Sequence, residues 1–134
     1  MSSSLTKFQT AIITLKNNLS IKKKLYVLPY TKLIKTTLIL AQNAGFIRNV
    51  LVVKLSKTKK IILYKQKYVK NKSLINNIVF YSKPGKRFYI KKKNIKNLPN
   101  RQITTYILST NKGVLTDEEA ILKNVGGELL ISFN

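Results

Sequence analysis

Ser109-Thr110-Asn111-Lys112-Gly113-Val114-Leu115-Thr116 is the stretch whose reading decides how the chain folds. It follows an alternating apolar run, Ile103 to Leu108, so a strand is expected to deliver the chain into a polar loop, Ser109 to Gly113, closed by glycine. Thr116-Asp117-Glu118-Glu119 then reads as a helix start. Thr116 is placed to cap the Glu119 amide while the Glu119 side chain reaches back, the capping-box arrangement. Asp117 and Glu118 suit the positive end of the helix dipole. The helix is short, Ala120 to Asn124, and Gly126-Gly127 is expected to stop it and turn the chain back. Glu128 opens a last strand in which Leu129, Ile131 and Phe133 are expected to face one way. A hydroxyl- and amide-rich loop and a lone carboxylate are thus each mounted at a strand end. That is a small recognition surface without the features of a catalytic centre.

Working outward, Ile78 to Tyr81 reads as a strand, and Lys83-Pro84-Gly85-Lys86 has the chemistry of a type II turn, with proline fixing φ and glycine taking φ > 0. Arg87 to Ile90 is the expected return strand, followed by a short basic helix through Leu98 that ends at Pro99-Asn100. Further upstream, Leu5, Phe8, Ile12, Leu15 and Leu19 repeat at helical spacing from near Ser4. Core packing fits this helix better than a membrane surface, because the lysines gather after it, at Lys22-Lys23-Lys24. Leu25 to Leu28 is a short strand. Pro29-Tyr30-Thr31 leads into a helix with Leu33, Ile34, Leu38 and Ala41 inward, capped by Gly45 with Phe46 packing back. Val50 to Leu55 and Ile61 to Tyr64 alternate as strands around the basic tip Ser56-Lys57-Thr58-Lys59-Lys60. The expected fold is α+β: an N-terminal α-β-α-β-β domain over residues 1–70, and a mostly antiparallel β domain with short helices over 71–134, the two sharing an interface.

Charge narrows the function. The chain has 134 residues and a net charge of +22, and its four acids, Asp117, Glu118, Glu119 and Glu128, all follow residue 116. Residues 1–116 hold 25 of the 26 basic side chains and no carboxylate, so salt bridges cannot neutralise them and the fold calls for a polyanion. Nucleic acid is the first candidate, an anionic membrane surface the second. There is no histidine or cysteine, which removes the usual general base, thiolate and metal ligands. No phosphate-binding glycine motif is present either. No catalytic residue, metal, cofactor or small-molecule substrate is therefore expected, and no run of about 18 apolar residues exists to span a membrane.

RNA recognition uses small hydroxyls, amides, backbone donors and a few cations against a shallow minor groove. Ser109, Thr110, Asn111 and the amides to Gly113 supply that set, with Lys112 for a phosphate; the alternative is a hydrogen-bonded turn with no ligand. Glu128 would be repelled by phosphate, so it belongs there if it accepts from a base or orients a neighbouring lysine, and otherwise is an ordinary strand end. The turn from Ser82 to Tyr89 sets Lys83, Pro84, Gly85, Lys86 and Arg87 beside two aromatics. One of these, Phe88, is expected inward and the other, Tyr89, near sugar or base. Lys57, Lys59 and Lys60 sit on a hairpin tip suited to phosphates.

Three motifs resemble one family. Ser109 to Asp117 followed by Val125-Gly126-Gly127-Glu128 is similar to the C-terminal signature of the small-subunit ribosomal protein eight family, Ser-Thr-Ser-Lys-Gly-Val-(Met/Leu)-Thr-Asp and then Gly-Gly-Glu. Ser82-Lys83-Pro84-Gly85-Lys86-Arg87-Phe88-Tyr89 resembles its Ser-(Arg/Lys)-Pro-Gly-x-Arg-x-Tyr. Leu28-Pro29-Tyr30-Thr31-Lys32-Leu33 and Gly45-Phe46-Ile47 match more weakly, in the family's first domain, and add Thr31 and Lys32 to the candidate contacts. The resemblance implies a structural protein that binds the central domain of small-subunit rRNA through an irregular minor-groove helix, aids early assembly and adjoins other small-subunit proteins. It carries RNA contacts to Ser109, Thr110 and Glu128; the family's third serine is Asn111 here. The alternatives are a free RNA-binding regulator or RNA chaperone of the same fold, and a cationic membrane-surface protein. Lys, Ile and Asn make up 52 residues against three Arg, the bias of an A/T-rich genome. Met1-Ser2-Ser3-Ser4 also lacks the character of a transit peptide. Together these point to synthesis inside an organelle, a mitochondrion ahead of a plastid or an A/T-rich bacterium.

Overall fold

The computed structural model describes residues 2–21, 25–69 and 72–134. They form two compact units, Ser3–Asn76 and Asn77–Asn134. Lys22, Lys23 and Lys24 lie outside the described residues.

In the first unit, helix α1 (Ser2–Asn17) buries Phe8, Ala11, Ile12 and Leu15 on one stripe. A single 3-10 turn, Asn18–Ser20, ends it and leaves Leu19 half-buried. Strand β1 (Tyr26–Pro29) alternates buried and exposed, so Tyr26 and Leu28 point inward. Helix α2 (Lys32–Asn43) starts at Thr31, whose hydroxyl accepts from the Ile34 amide at 3.2 Å. It ends on Gly45 at φ 92°, with Gly45 N–H donating to Gln42 and Phe46 N–H to Ala41, the paired bonds of a Schellman motif. Strands β2 (Ile47–Lys54) and β3 (Lys60–Gln66) complete an antiparallel sheet of order β1-β3-β2. One face of β3, Ile62, Tyr64 and Gln66, is buried with the helices. Tyr26 and Tyr64 stack there with ring centres 5.3 Å apart, and the Tyr26 hydroxyl bonds the Ile21 carbonyl. Burial pushes the Tyr64 phenol up to about 12. A small ladder, β4 (Tyr68–Val69) with β5 (Lys72–Ser73), closes the unit.

The second unit is an antiparallel sheet centred on β10 (Gly127–Phe133). On one side β10 pairs β8 (Thr105–Thr110), which pairs β9 (Gly113–Thr116). On the other it pairs both β6 (Ile78–Phe80) and β7 (Tyr89–Ile90). The chain therefore does not return along β6. Both segments run antiparallel to the same neighbour, as one edge strand interrupted by a loop, and Arg87 and Phe88 belong to that loop. Ser82 pins it: its buried hydroxyl donates to the Leu129 carbonyl at 2.7 Å and accepts from the Phe88 amide at 2.9 Å. Lys83 and Lys86 bond each other through both backbone groups, yet Gly85 has no positive φ, so the turn is not type II. Pro84, at the second position of the turn, fixes its own φ equally well in a type I turn.

Three further readings change. A bulge lies between Leu129, which opposes Leu108, and Ile131, which opposes Ile107. The extra residue, Leu130, flips the alternation. Leu129 joins Tyr106, Leu108, Leu115, Ala120 and Ile95 in one core cluster, while Ile131 and Phe133 take the other face. Helix α3 (Lys92–Ile95) is a single turn, with Leu98 in the turns that follow. Helix α4 (Asp117–Leu122) is ended by Asn124 at φ 56°, with Asn124 N–H on Ile121 and Val125 N–H on Ala120. The two glycines serve another purpose: a Cβ on Gly126 would stand 2.6 Å from the Ile90 carbonyl oxygen, and one on Gly127 2.3 Å from that of Ser109. They let three backbones approach.

Candidate nucleic-acid interface

Ser109 and Thr110 lie on β8 itself, not in a loop; only Asn111 and Lys112 form the turn, and Thr110 pairs Gly113 across it. Thr110 holds that turn, its hydroxyl donating to the Gly113 carbonyl at 2.8 Å and accepting from the Lys112 amide at 3.1 Å. Gly113 sits at φ 109°, which a side chain would strain. Asn111, Lys112 and Gly113 are exposed and Ser109 and Thr110 half-buried.

Register aligns the rest. Tyr89 opposes Glu128, Glu128 opposes Ser109, and Ser109 opposes Val114. Cross-strand partners share a face, so Tyr89, Glu128, Ser109 and Val114 form one row across four strands. Tyr89 from one motif thus meets Glu128 and Ser109 from another, with Glu128 between them. Tyr89 is 67% exposed and Phe88 48%, so neither aromatic packs fully inward; the Phe88 ring only leans on Tyr81 at 6.4 Å. Glu128 is half-buried, with Oε1 3.8 Å from Arg87 Nη1. Its Oε2 is buried and has no hydrogen-bond partner among the described residues. Beside the row, a groove of about 600 Å³ is lined by Tyr89, Ile90, Lys91, Lys92, Lys93 and the two glycines. Lys83, Gly85 and Lys86 are exposed on the loop above Ser82, and Pro84 is half-buried.

The other candidates belong to the first unit. Lys57 and Lys59 are exposed in the turn between β2 and β3, where the Ser56 hydroxyl accepts from the Lys59 amide at 3.1 Å. Lys60 is the first residue of β3, with its ammonium 5.1 Å from the centre of the Tyr30 ring. Thr31 spends its hydroxyl as the α2 cap, and Lys32 is exposed on the first turn of that helix.

The acids at α4 divide differently from the sequence reading. Thr116 does cap the Glu119 amide at 3.3 Å, but the Glu119 carboxylate accepts from the Thr116 hydroxyl at 3.2 Å, not from its backbone amide. Asp117 is no surface dipole partner. It is buried, bonds Arg101 Nε at 2.7 Å and accepts from the Tyr106 amide at 3.3 Å, tying the chain before β8 to the helix. Sequence reasoning missed this pair; Arg101, one of only three arginines, was the available signal. Among the described residues no three Asp, Glu, His or Cys side chains gather to hold a metal, and no helix is long and apolar enough to cross a membrane.

Fold and site together define a strongly basic α+β protein with a row of mainly polar side chains running across the sheet of its second unit. The chain belongs to the ribosomal protein S8 family, whose model matches residues 7–133. It is 40% identical over 116 residues to the small ribosomal subunit protein uS8 of Bartonella henselae, covering 87% of each chain. Against uS8 of Rhizobium leguminosarum it is 38% identical over 118 residues, covering 88% of this chain and 89% of the relative. Against uS8m of Acanthamoeba castellanii it is 36% identical over 105 residues, covering 78% and 80%. The family is one of ribosomal proteins, not of enzymes.

Proposed function

We propose that this chain is a structural protein of an organellar, mitochondrial small ribosomal subunit, where it binds the central domain of the rRNA and helps that domain fold. The carrying observation is the row Tyr89–Glu128–Ser109. It offers an exposed ring, a carboxylate and a hydroxyl side by side on the one unit that contains any acid. A buried carboxylate oxygen without a donor costs about 1–3 kcal/mol, a cost that is removed when the Glu128 side chain turns outward and Oε2 accepts from a base amino or imino group. Arg87 beside Oε1 screens the charge from approaching phosphates. Asn111, Lys112 and the Lys83–Arg87 loop flank the row as contacts to backbone and groove. Lys57, Lys59, Lys60, Thr31 and Lys32 form a second, phosphate-directed set on the first unit. Placement in a mitochondrion follows from the Lys-, Ile- and Asn-rich composition, supported by the likeness to uS8m; the bacterial relatives are equally near.

Sedimentation tests the reading. The native protein should stay with small subunits through a high-salt wash and, in isolation, select a central-domain helix of that subunit's rRNA. Affinity should fall by roughly 0.7–0.9 log units per tenfold salt for each phosphate neutralised. Release from the subunit with binding retained would favour a free RNA regulator, and a salt slope near zero would remove nucleic acid altogether.

A further inference from the structure

The sheet of the first unit has a second face that the helices do not cover. With Ile62, Tyr64 and Gln66 buried, Ile61 and Leu63 point the other way. Register places Val27, Leu63 and Leu51 in one row across the three strands, and Pro29, Ile61 and Val53 in the next. Val27 is 53% exposed, Leu51 59%, and Leu55, just beyond β2, 54%. The outer strands thus leave Val27, Pro29 and Leu51 exposed while Ile61, Leu63 and Val53 are half-buried between them, an aliphatic face partly open to water of the kind that marks an interaction site. Cations frame it. Arg48 and Lys65 make the paired row at one end, and Lys57 and Lys59 stand in the turn at the other.

We propose that this face docks a protein segment, apolar at its centre and carrying carboxylates at its edges; the proposal rests on the chain being a component of an assembled subunit. Chemistry selects that occupant. RNA presents phosphates and base edges, and neither row offers a ring to stack on or a polar atom to read. A lipid surface is met by interfacial aromatics, which both rows lack. A second copy of the chain would bring like charge to like. Its first 116 residues hold no acid, Asp117 is buried in an ion pair, Glu128 is half-buried beside Arg87 and Glu119 accepts from Thr116, which leaves Glu118 as the exposed carboxylate against a net charge of +22. A partner with carboxylates around an aliphatic strip matches both features of the face, because complementary rim charge sets orientation while apolar burial holds the complex. The same lysines are then shared between two tasks: those at the turn can reach phosphate while the strands between are covered by protein.

Position-specific photocrosslinking in native small subunits tests this. A photoreactive phenylalanine analogue is placed at position 51, and a second chain carries it at position 112 as a report on the RNA row. Position 51 should yield an adduct with a ribosomal-protein peptide whose aliphatic residues are flanked by Asp or Glu. That peptide, synthesised, should bind the purified full chain, and the Val27→Thr, Leu51→Thr double variant should weaken its binding at least tenfold. Both substitutions are exposed and strand-compatible, so melting temperature and RNA affinity should stay at parental values. An adduct at position 51 with rRNA, lipid or a second copy overturns the proposal. So does no adduct there while position 112 labels rRNA, or a peptide that binds the double variant as tightly as the parent. A protein adduct at 51 without rRNA labelling at 112 would keep the docking face and sink the RNA row instead.

Discussion

Replacing Glu128 by Gln asks whether its carboxylate reads RNA or is merely tolerated. In the free chain the change should be mild. The Arg87 contact is long, 3.8 Å, and the arginine side chain is 36% exposed, so the pair is worth about 1 kcal/mol at most. Against that, the amide keeps the shape and puts a neutral NH₂ group where the charged Oε2 was, and a neutral group costs less to bury unpartnered than a charged one. The two effects oppose each other, and melting should stay within about 1 kcal/mol of the parent. The RNA complex should respond differently. A charge-assisted bond from a base donor to Oε2 contributes about 1.5–3 kcal/mol. With Arg87 holding the remaining carbonyl, the new NH₂ group meets that donor head-on. Affinity for the cognate central-domain helix should therefore fall about ten- to a hundredfold, while affinity for an unrelated duplex holds or rises, since one negative charge has gone. Parallel titrations of both RNAs, with thermal melts of the free protein, separate these outcomes. A gain in cognate affinity would show Glu128 to be only a repulsive charge. A collapse in melting would make it a structural residue, and either result refutes the reasoning.

Other predictions follow from the packing. Gly127→Ala drives a methyl to 2.3 Å from the Ser109 carbonyl oxygen, which no rotamer change relieves, and should cost about 1–3 kcal/mol while weakening cognate RNA through the displaced β8. Gly85→Ala, where nothing stands within 4 Å, is the stability control and should melt like the parent; equal melting of the two variants would deny the close approach. Asp117→Asn breaks a buried ion pair, and because Arg101 keeps 26% of its side chain exposed the cost should sit near the low end, about 3 kcal/mol by denaturant titration, a parental midpoint counting against it. The Tyr64 phenol, at about 12 in the folded chain against an ordinary 10, retains its proton where the unfolded chain has lost it. Its contribution is complete below pH 10 and disappears between 10 and 12, about 1.4 kcal/mol per pH unit. Tyr64→Phe should flatten that alkaline loss relative to the parent, and parallel curves at pH 9, 10 and 11 would exclude it.

What the sequence made legible were features with a local cause. Helix spacing placed Phe8, Ile12 and Leu15, turn chemistry placed Gly45, and a three-residue offset placed the Thr116 cap. The α+β class and the family followed from those elements and from the C-terminal motifs. What stayed hidden depended on partners distant along the chain. The bulge at Leu130 is visible only once Leu108 and Ile107 are known to oppose its neighbours. Gly126 and Gly127 look like a helix stop until Ile90 and Ser109 are found pressed against them, and Asn124 does the stopping. Asp117 reads as a dipole residue because nothing local announces Arg101, sixteen positions earlier. The candidate site residues came from motifs, but the row joining Tyr89, Glu128 and Ser109 exists only through register.

The interrupted edge strand has a consequence for how this protein can change length. Tyr81 donates to the Leu130 carbonyl and Phe88 accepts from the Leu129 amide, so both ends of the excursion rest on adjacent residues of a single strand. The excursion behaves as a bead hung from a clasp, with Ser82 as the clasp. Residues can be added or removed between Lys83 and Arg87 without sliding β6 or β7 against β10, because each is anchored on its own stretch of that strand. The reach of the basic loop is thereby uncoupled from the register of the sheet, and a lineage can retune one while inheriting the other intact.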